Sequence, residues 1–352
     1  MRAQKAKITD RVLTERECTI LGCVVESYVR TAMPVGSRSL VKTFNLSVSP
    51  ATIRNTMNDL EELGCLCQPY VSAGRIPTDK GYRFYVDGLV SYRGPSKRER
   101  DLILKNLQRR FAHVDEILET ASMVLGKISS QLGIVMEPQF YQGVFQKMDL
   151  VSVSENCILA VISIKSGLVK TIMMEIESGI SPNQLQSTCR IINERLQGLS
   201  LEEVKQTIDS RLTDVTLDEN RLIRLILASS DKLFNFENQA SLHLGGTSNI
   251  VSNPEFSDQR DVSRILALLE SRESILSHFH DAKSQKISIR IGKENDEVMF
   301  RDCSVISTRY RAGDVTGTIG VVGPTRMHYG RIVPLVDFVS DALSDRFNHL
   351  WS

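Results

Sequence analysis

The sequence predicts an α+β chain that begins with a small helical module, and three observations predict it. Two short, capped helices lie back to back over residues 36–64, and a brief alternating stretch follows them. Dense β-type runs fill residues 144–177, and runs of the same kind return only after residue 283. Helical periodicity occupies most of what lies between. Strands, then helices, then strands again is the pattern of a sheet domain interrupted by an insertion.

Taking the elements in order, Thr14 and Glu17 of TERE form a capping box. It opens a helix whose Leu21, Val24, Val25 and Tyr28 make an apolar stripe, with Pro34 as its stop. GSRSLVKTF is a shorter helix. In SPATIRNTMNDLEELG the Ser49 hydroxyl can accept from orphan N–H groups, Pro50 supplies a pre-set φ, and Gly64 closes the helix. Ile53, Met57 and Leu60 fall at i, i+4 and i+7. They turn one stripe inward and leave Thr52, Arg54, Asn55 and Asn58 on or beside the exposed face, with Glu61 and Glu62 at the far end.

Two helices at this spacing read as a helix-turn-helix, which sets the polar face of the second into the major groove of DNA. Asn pairs bidentately with adenine, Arg with guanine or phosphate, and Thr with an accepting edge or a thymine methyl. Arg38 and Ser49 join the DNA-facing set. CLCQPYVSAGRIPT alternates and turns at Ser72 to Gly74. That predicts a two-stranded wing with Arg75 just past its tip, against the DNA backbone. Thr78 caps DKGYRFYVDGLV, whose Tyr82, Phe84 and Tyr85 follow helical spacing and so belong to a core, not to a base-stacking platform.

Charge follows the same division. Residues 1–93 carry 13 Lys plus Arg against 9 Asp plus Glu, whereas the rest carries 30 against 33. Arg2, Lys5, Lys7 and Arg11 form a basic arm of the kind that neutralises phosphate. A net charge of +1 excludes a nonspecific nucleic-acid coat protein.

Gly94 and Pro95 mark a hinge. Helical periodicity then runs from Ser96 to Gln131, with Leu102, Leu107, Phe111, Val114, Leu118, Leu125 and Ile128 as its stripe. VFQKMDLVSV, CILAVISIK and LVKTIMMEIE predict antiparallel hairpins. A helical block from Asn183 to about Phe236, an apolar strand at SLHLGG and two amphipathic helices to about His280 come next. KISIRIG, CSVISTRY and TGTIGVVG are the returning strands, and a final helix spans Val333 to His349.

At 352 residues the chain needs more than one core. No apolar segment follows the basic start and CILAVISI is too short to span a bilayer, so a cytoplasmic protein is expected. Cys18, Cys23, Cys157, Cys189 and Cys303 sit in apolar runs, and the C-x-C pair Cys65 and Cys67 lacks partners for a zinc site. His278 and His280 read as a solvated helix end. The glycines of GTIGVVGPTR lack G-K-[ST], so Arg326 is left as a structural cap, an interface ion pair or a small-ligand contact. No G-x-S-x-G or H-E-x-x-H suggests an enzyme, and no cofactor is expected. A ligand-gated transcription factor is the closer rival.

The runs PVGSRSL (34–40), VSPATIRNTMNDLEELG (48–64) and SAGRIPTDKGYRFYVD (72–87) resemble the HrcA family of heat-inducible transcription repressors. GGTSNIVSNPEF (245–256), RIGKEN (290–295) and GTIGVVGPTRMHYGR (317–331) extend the resemblance over nearly the whole chain. It departs at Tyr70 and Val71, where the family often has an imidazole and a threonine, and at Cys65 and Cys67, where bulkier residues are usual. The resemblance implies a homodimer of winged-helix, GAF-like and inserted dimerisation domains. It also implies an inverted-repeat operator in double-stranded DNA upstream of groE- and dnaK-type chaperone operons, and support of the active fold by the GroE chaperonin. On this chain the domains are expected at 1–93, at 96–180 with 284–352, and at 181–283.

Overall fold

A computed structural model describes residues 13–111, 113–176, 179–215, 221–234, 241–256, 258–280 and 287–351. Its packing divides the chain into two units, one of Met1–Ile134, Leu244–Thr308 and Ile319–Ser340, the other of Val135–His243, Arg309–Thr318 and Asp341–Ser352. The chain is of mixed α+β class.

The first unit opens with α1 (Glu15–Thr31), where the Glu17 N–H donates to Thr14 Oγ1 at 3.2 Å and the Thr14 N–H to Glu17 Oε2 at 2.7 Å. The helix ends before Pro34, at Ala32 in the left-handed region. Then come α2 (Ser37–Phe44) and α3 (Pro50–Glu62), both packed on α1. Ser49 caps α3 as its sequence requires. At the other end the Cys65 N–H reaches the Leu60 carbonyl and the Gly64 N–H that of Glu61, a Schellman closure with Gly64 at φ +71°. Strands β1 (Leu66–Cys67) and β2 (Ile76–Pro77) pair antiparallel, and α4 (Asp79–Phe84), capped by Thr78, runs into a π-helical turn at Tyr85–Leu89. Tyr82, Phe84 and Tyr85 are buried, as their helical spacing requires.

The single helix read over residues 96–131 is two, α5 (Lys97–Leu107) and α6 (Val114–Ser129). Leu102 is exposed and its neighbour Ile103 takes the core position, because packing of α5 on α6 sets the buried face. β3 (Leu132–Met136), unforeseen in the sequence, follows at once and is buried at every position.

In the second unit β4 (Phe145–Ser154), β5 (Cys157–Ile164) and β6 (Val169–Glu175) form the antiparallel sheet that the hairpins predicted. One face, from Ile158, Ala160 and Ile162, is buried. Helix α7 (Pro182–Leu196) covers the free edge of β4 through Asn193, whose Oδ1 accepts from the Met148 N–H at 2.7 Å while its amide donates to the Met148 carbonyl at 3.0 Å. α8 (Leu201–Leu212), α9 (Arg221–Ala228) and α10 (Ser230–Phe234) complete the helical block.

β7 (Leu242–Gly245) lies next to β3. The sheet continues through β10 (Val315–Pro324) and β9 (Cys303–Ala312) to β8 (Ser288–Ile291). In the first unit α6 crosses β7 so closely that a Cβ on Gly245 would lie 2.2 Å from the Ser122 backbone. Between β7 and β8 come α11 (Thr247–Val251), α12 (Gln259–Glu270) and α13 (Arg272–His280). His278 on α13 corrects the expectation of a solvated helix end. It is 4% exposed, stacks on Phe300 with ring centroids 4.2 Å apart, and pairs through Nε2 with Asn295 Oδ1 at 3.0 Å. Burial, aided by Arg290, pushes its pKa down. The His280 side chain lies outside the described set. Helix α14 (Tyr329–Trp351) starts four residues before its expected point, with Pro334 inside it.

Candidate nucleic-acid interface

Helix α3 buries Ile53, Thr56, Met57 and Leu60 and leaves Pro50, Ala51, Arg54, Asn55, Asn58, Asp59 and Glu62 exposed. Helical geometry makes Ala51, Asn55, Asn58 and Glu62 the ridge opposite the buried stripe, with Arg54 on its flank. Thr52 is half-buried. Its N–H donates to Ser49 Oγ at 3.1 Å and its hydroxyl lies 2.9 Å from that of Ser49, so this pair is occupied in the cap. Arg38 is exposed on the first turn of α2. Lys5 and the rest of the basic arm lie outside the described residues. Ala51 was missed in the sequence. Its signal is the i, i+4 relation to Asn55 on the outward face, and an exposed alanine there suits a thymine methyl.

The turn beside α3 is held from three sides. The Ala73 N–H closes on the Tyr70 carbonyl at 3.0 Å, so the turn falls at Tyr70–Ala73 and not at Ser72–Gly74. Val35 bridges Arg75 through two backbone bonds of 2.9 Å, adding a third segment to the β1–β2 pair. A Cβ on Gly74 would stand 2.5 Å from the Val35 backbone, so this approach needs glycine. Tyr70 and Val71 remain exposed at the tip.

Arg75 does not project past the tip. Its Nη2 donates to Asn58 Oδ1 at 3.1 Å and pairs with Glu61 Oε2 at 2.7 Å, with 17% of the side chain exposed. The guanidinium therefore braces α3 from the side. Its position depends on a bridge to a segment 40 residues earlier, a contact that sequence order does not announce.

Within the same unit, the module made by α1–α4 is tied to the later chain. Arg83 pairs with Glu294, Nε to Oε1 being 2.8 Å, and the Lys293 N–H donates to Asp79 Oδ2 at 3.1 Å. The Glu294 bond, with Asp87 beside it, raises the Arg83 pKa against the opposing effect of burial, so the guanidinium stays charged. Arg326 pairs with Glu255 at 2.7 Å and donates from Nη1 to the carbonyl of Val29 at 2.8 Å. That carbonyl is in the last turn of α1, where no intrahelical donor remains.

A model of the HrcA protein C terminal domain matches residues 115–333. The chain belongs to the HrcA family. The HrcA relative from Chlorobium chlorochromatii, named a heat-inducible transcription repressor, is 40% identical over 343 residues, covering 95% of this chain and 97% of its own. The HrcA of Halalkalibacterium halodurans, with the same name, is 34% identical and covers 97% and 99%. Among solved structures, one described as a hypothetical protein at 2.2 Å resolution is 23% identical with a TM-score of 0.58 over 96% of this chain and 99% of that one. It shares the fold. Among the described residues of this HrcA-family chain, no helix is long and apolar enough to cross a membrane.

Proposed function

We propose that this chain represses transcription of chaperone genes as a dimer, with the α3 of each copy in successive major grooves of an inverted-repeat operator. The observation that carries the reading is the ridge of α3, where Asn55 and Asn58 face solvent beside a cross-braced turn. In it, α1–α4 with β1 and β2 are a winged helix over 1–93. Arg54, Asn55, Asn58 and Ala51 face the bases, Arg38 and Lys5 face phosphates, and Ser49 and Thr52 set the helix start. Arg75 serves as a positioning residue for Asn58. Tyr70 and Val71 are the wing tip.

The remaining chain pairs and regulates the module, as a GAF-like domain at 96–180 and 284–352 carrying a dimerisation insertion at 181–283. An uncovered apolar row on β4–β6, where Val151, Leu159 and Met173 stand opposite one another with Met173 69% exposed, lies in the GAF-like part and not in the insertion, and is a second surface that pairing can cover. The GroE chaperonin supports the active fold. Its diversion on heat shock frees the operator.

Footprinting on promoter regions of the host's chaperonin genes, with and without added chaperonin, tests this. A protected inverted repeat is the expected result. Absence of protection in both conditions overturns the reading.

A further inference from the structure

A cavity of about 310 Å³ opens in the first unit where α1, the turn at Tyr85, the linker at Ser91 and Arg93, and the start of α14 meet. One missing donor shapes it. Pro334 has no N–H for the carbonyl of Gly330 four residues earlier, and the Arg93 N–H takes that carbonyl at 2.8 Å. The linker is thereby fixed against the first turn of α14.

Phe44 and Tyr85 give the cavity an apolar wall, and Arg30, Arg93 and Arg331 line it with Glu26 as the acidic residue; the Arg331 charge is met by Glu99, which leaves Arg30 and Arg93 against Glu26. Arg331 is oriented by Glu99 at 2.7 Å and by the Ile128 carbonyl at 2.9 Å. The side chains of Arg30 and Arg93 make no ion pair among the described residues. His328, at the same lining, has its pKa pushed down by burial and then by Arg331 and Arg326. Positive charge here is thus in excess.

We infer that this cavity binds a small phosphate monoester, its phosphate on Arg30 and Arg93 and its organic part against Phe44 and Tyr85. The planar guanidinium fork matches phosphate oxygens bidentately. The volume lies at the low end for small-molecule sites and limits the organic part to about one ring. A ligand there touches both α1, which supports α3, and the start of α14. Its effect on operator affinity rests on the repressor reading; its binding does not.

The test uses the full chain and phenyl phosphate as the probe, with inorganic phosphate and phenol as separate arms and ionic strength matched by sodium chloride. Calorimetric titration and thermal unfolding without DNA are the readouts. Phenyl phosphate should bind saturably and raise Tm by about 2–4 °C, inorganic phosphate by less, and phenol not at all. Arg30→Gln combined with Arg93→Gln should lower affinity at least tenfold, while Arg98→Ala on the exposed face of α5 leaves it unchanged. No saturable response, an equal response in the double variant, or phenol matching phenyl phosphate overturns the proposal. So does a double variant that loses operator affinity and salt dependence while phenyl phosphate fails to bind the parent, because these arginines then serve DNA phosphates. Since binding is read without DNA, a failed footprint leaves this result standing.

Discussion

Arg75 holds Asn58: the guanidinium at the start of β2 lies 3.1 Å from the amide oxygen on α3 and 2.7 Å from Glu61 one turn further on. The contact fixes the rotamer of a side chain on the outward ridge. Arg75→Ala should destabilise the chain by about 1 kcal/mol, since the pair is partly exposed, and relax selectivity at the base facing Asn58. Denaturant unfolding and a panel of operator variants measure both. A loss uniform across all operators, with a shallower salt slope, would return Arg75 to the phosphate backbone.

Asn55 has no such brace. Replacing it by Ala should cost about 1–3 kcal/mol at one base position and little elsewhere. Competition between operators substituted at single positions separates this from uniform weakening. Lys5→Ala should instead weaken every sequence alike and flatten the salt slope.

Ser49 offers a sharper separation of stability from binding. Ser49→Ala removes the acceptor for the Thr52 N–H and should cost about 1 kcal/mol. Ser49→Asp keeps an acceptor at that position but adds a negative charge at the helix end that the proposed reading sets against DNA. Its unfolding midpoint should stay near that of the parent while operator affinity falls.

Glu99 gives a pH signature. Its carboxyl is held down to about 2, first by the Arg331 guanidinium and then by Ser96, against an ordinary 4.5. A depressed folded value stabilises fully above the unfolded pKa and loses that contribution as pH falls through the folded one. The pair is solvent-screened, so it contributes less than about 1 kcal/mol. Glu99→Gln should be slightly less stable at neutral pH, with the gap closing between pH 4.5 and 2. A gap that stays constant over that range removes the ionic origin.

Gly245→Ala should be far more damaging than any of these, because the new Cβ would meet the Ser122 backbone at 2.2 Å and α6 must move off β7. A loss above about 2 kcal/mol is expected from such overpacking. Unfolding by denaturant measures it.

Caps were the most legible part of the chain. Thr14 with Glu17, Ser49 with Pro50 and Gly64, and Thr78 each combine an acceptor, an entry residue or an exit glycine within a few positions, and each marks the end it should. The exposed set Arg54, Asn55 and Asn58 followed from helical period alone. Strand β3 did not, since LGIVM is buried on both faces and continues the apolar density of α6 without alternation. His278 failed for a different reason, and the Arg75 brace stayed hidden for the same one. Their partners, Asn295 and Asn58, stand 17 residues away in each case, so their burial belongs to tertiary packing that no local spacing announces.

The bond from Arg326 to the Val29 carbonyl spans 297 residues. A nascent chain therefore completes α1–α4 long before it contains the donor that satisfies the end of α1, and Asp79 and Arg83 wait almost as long for Lys293 and Glu294. Synthesis runs from the N-terminus, so the first module folded is the last to be finished. A polypeptide released before residue 326 leaves the ribosome with α2 and α3 formed and their supporting helix unanchored.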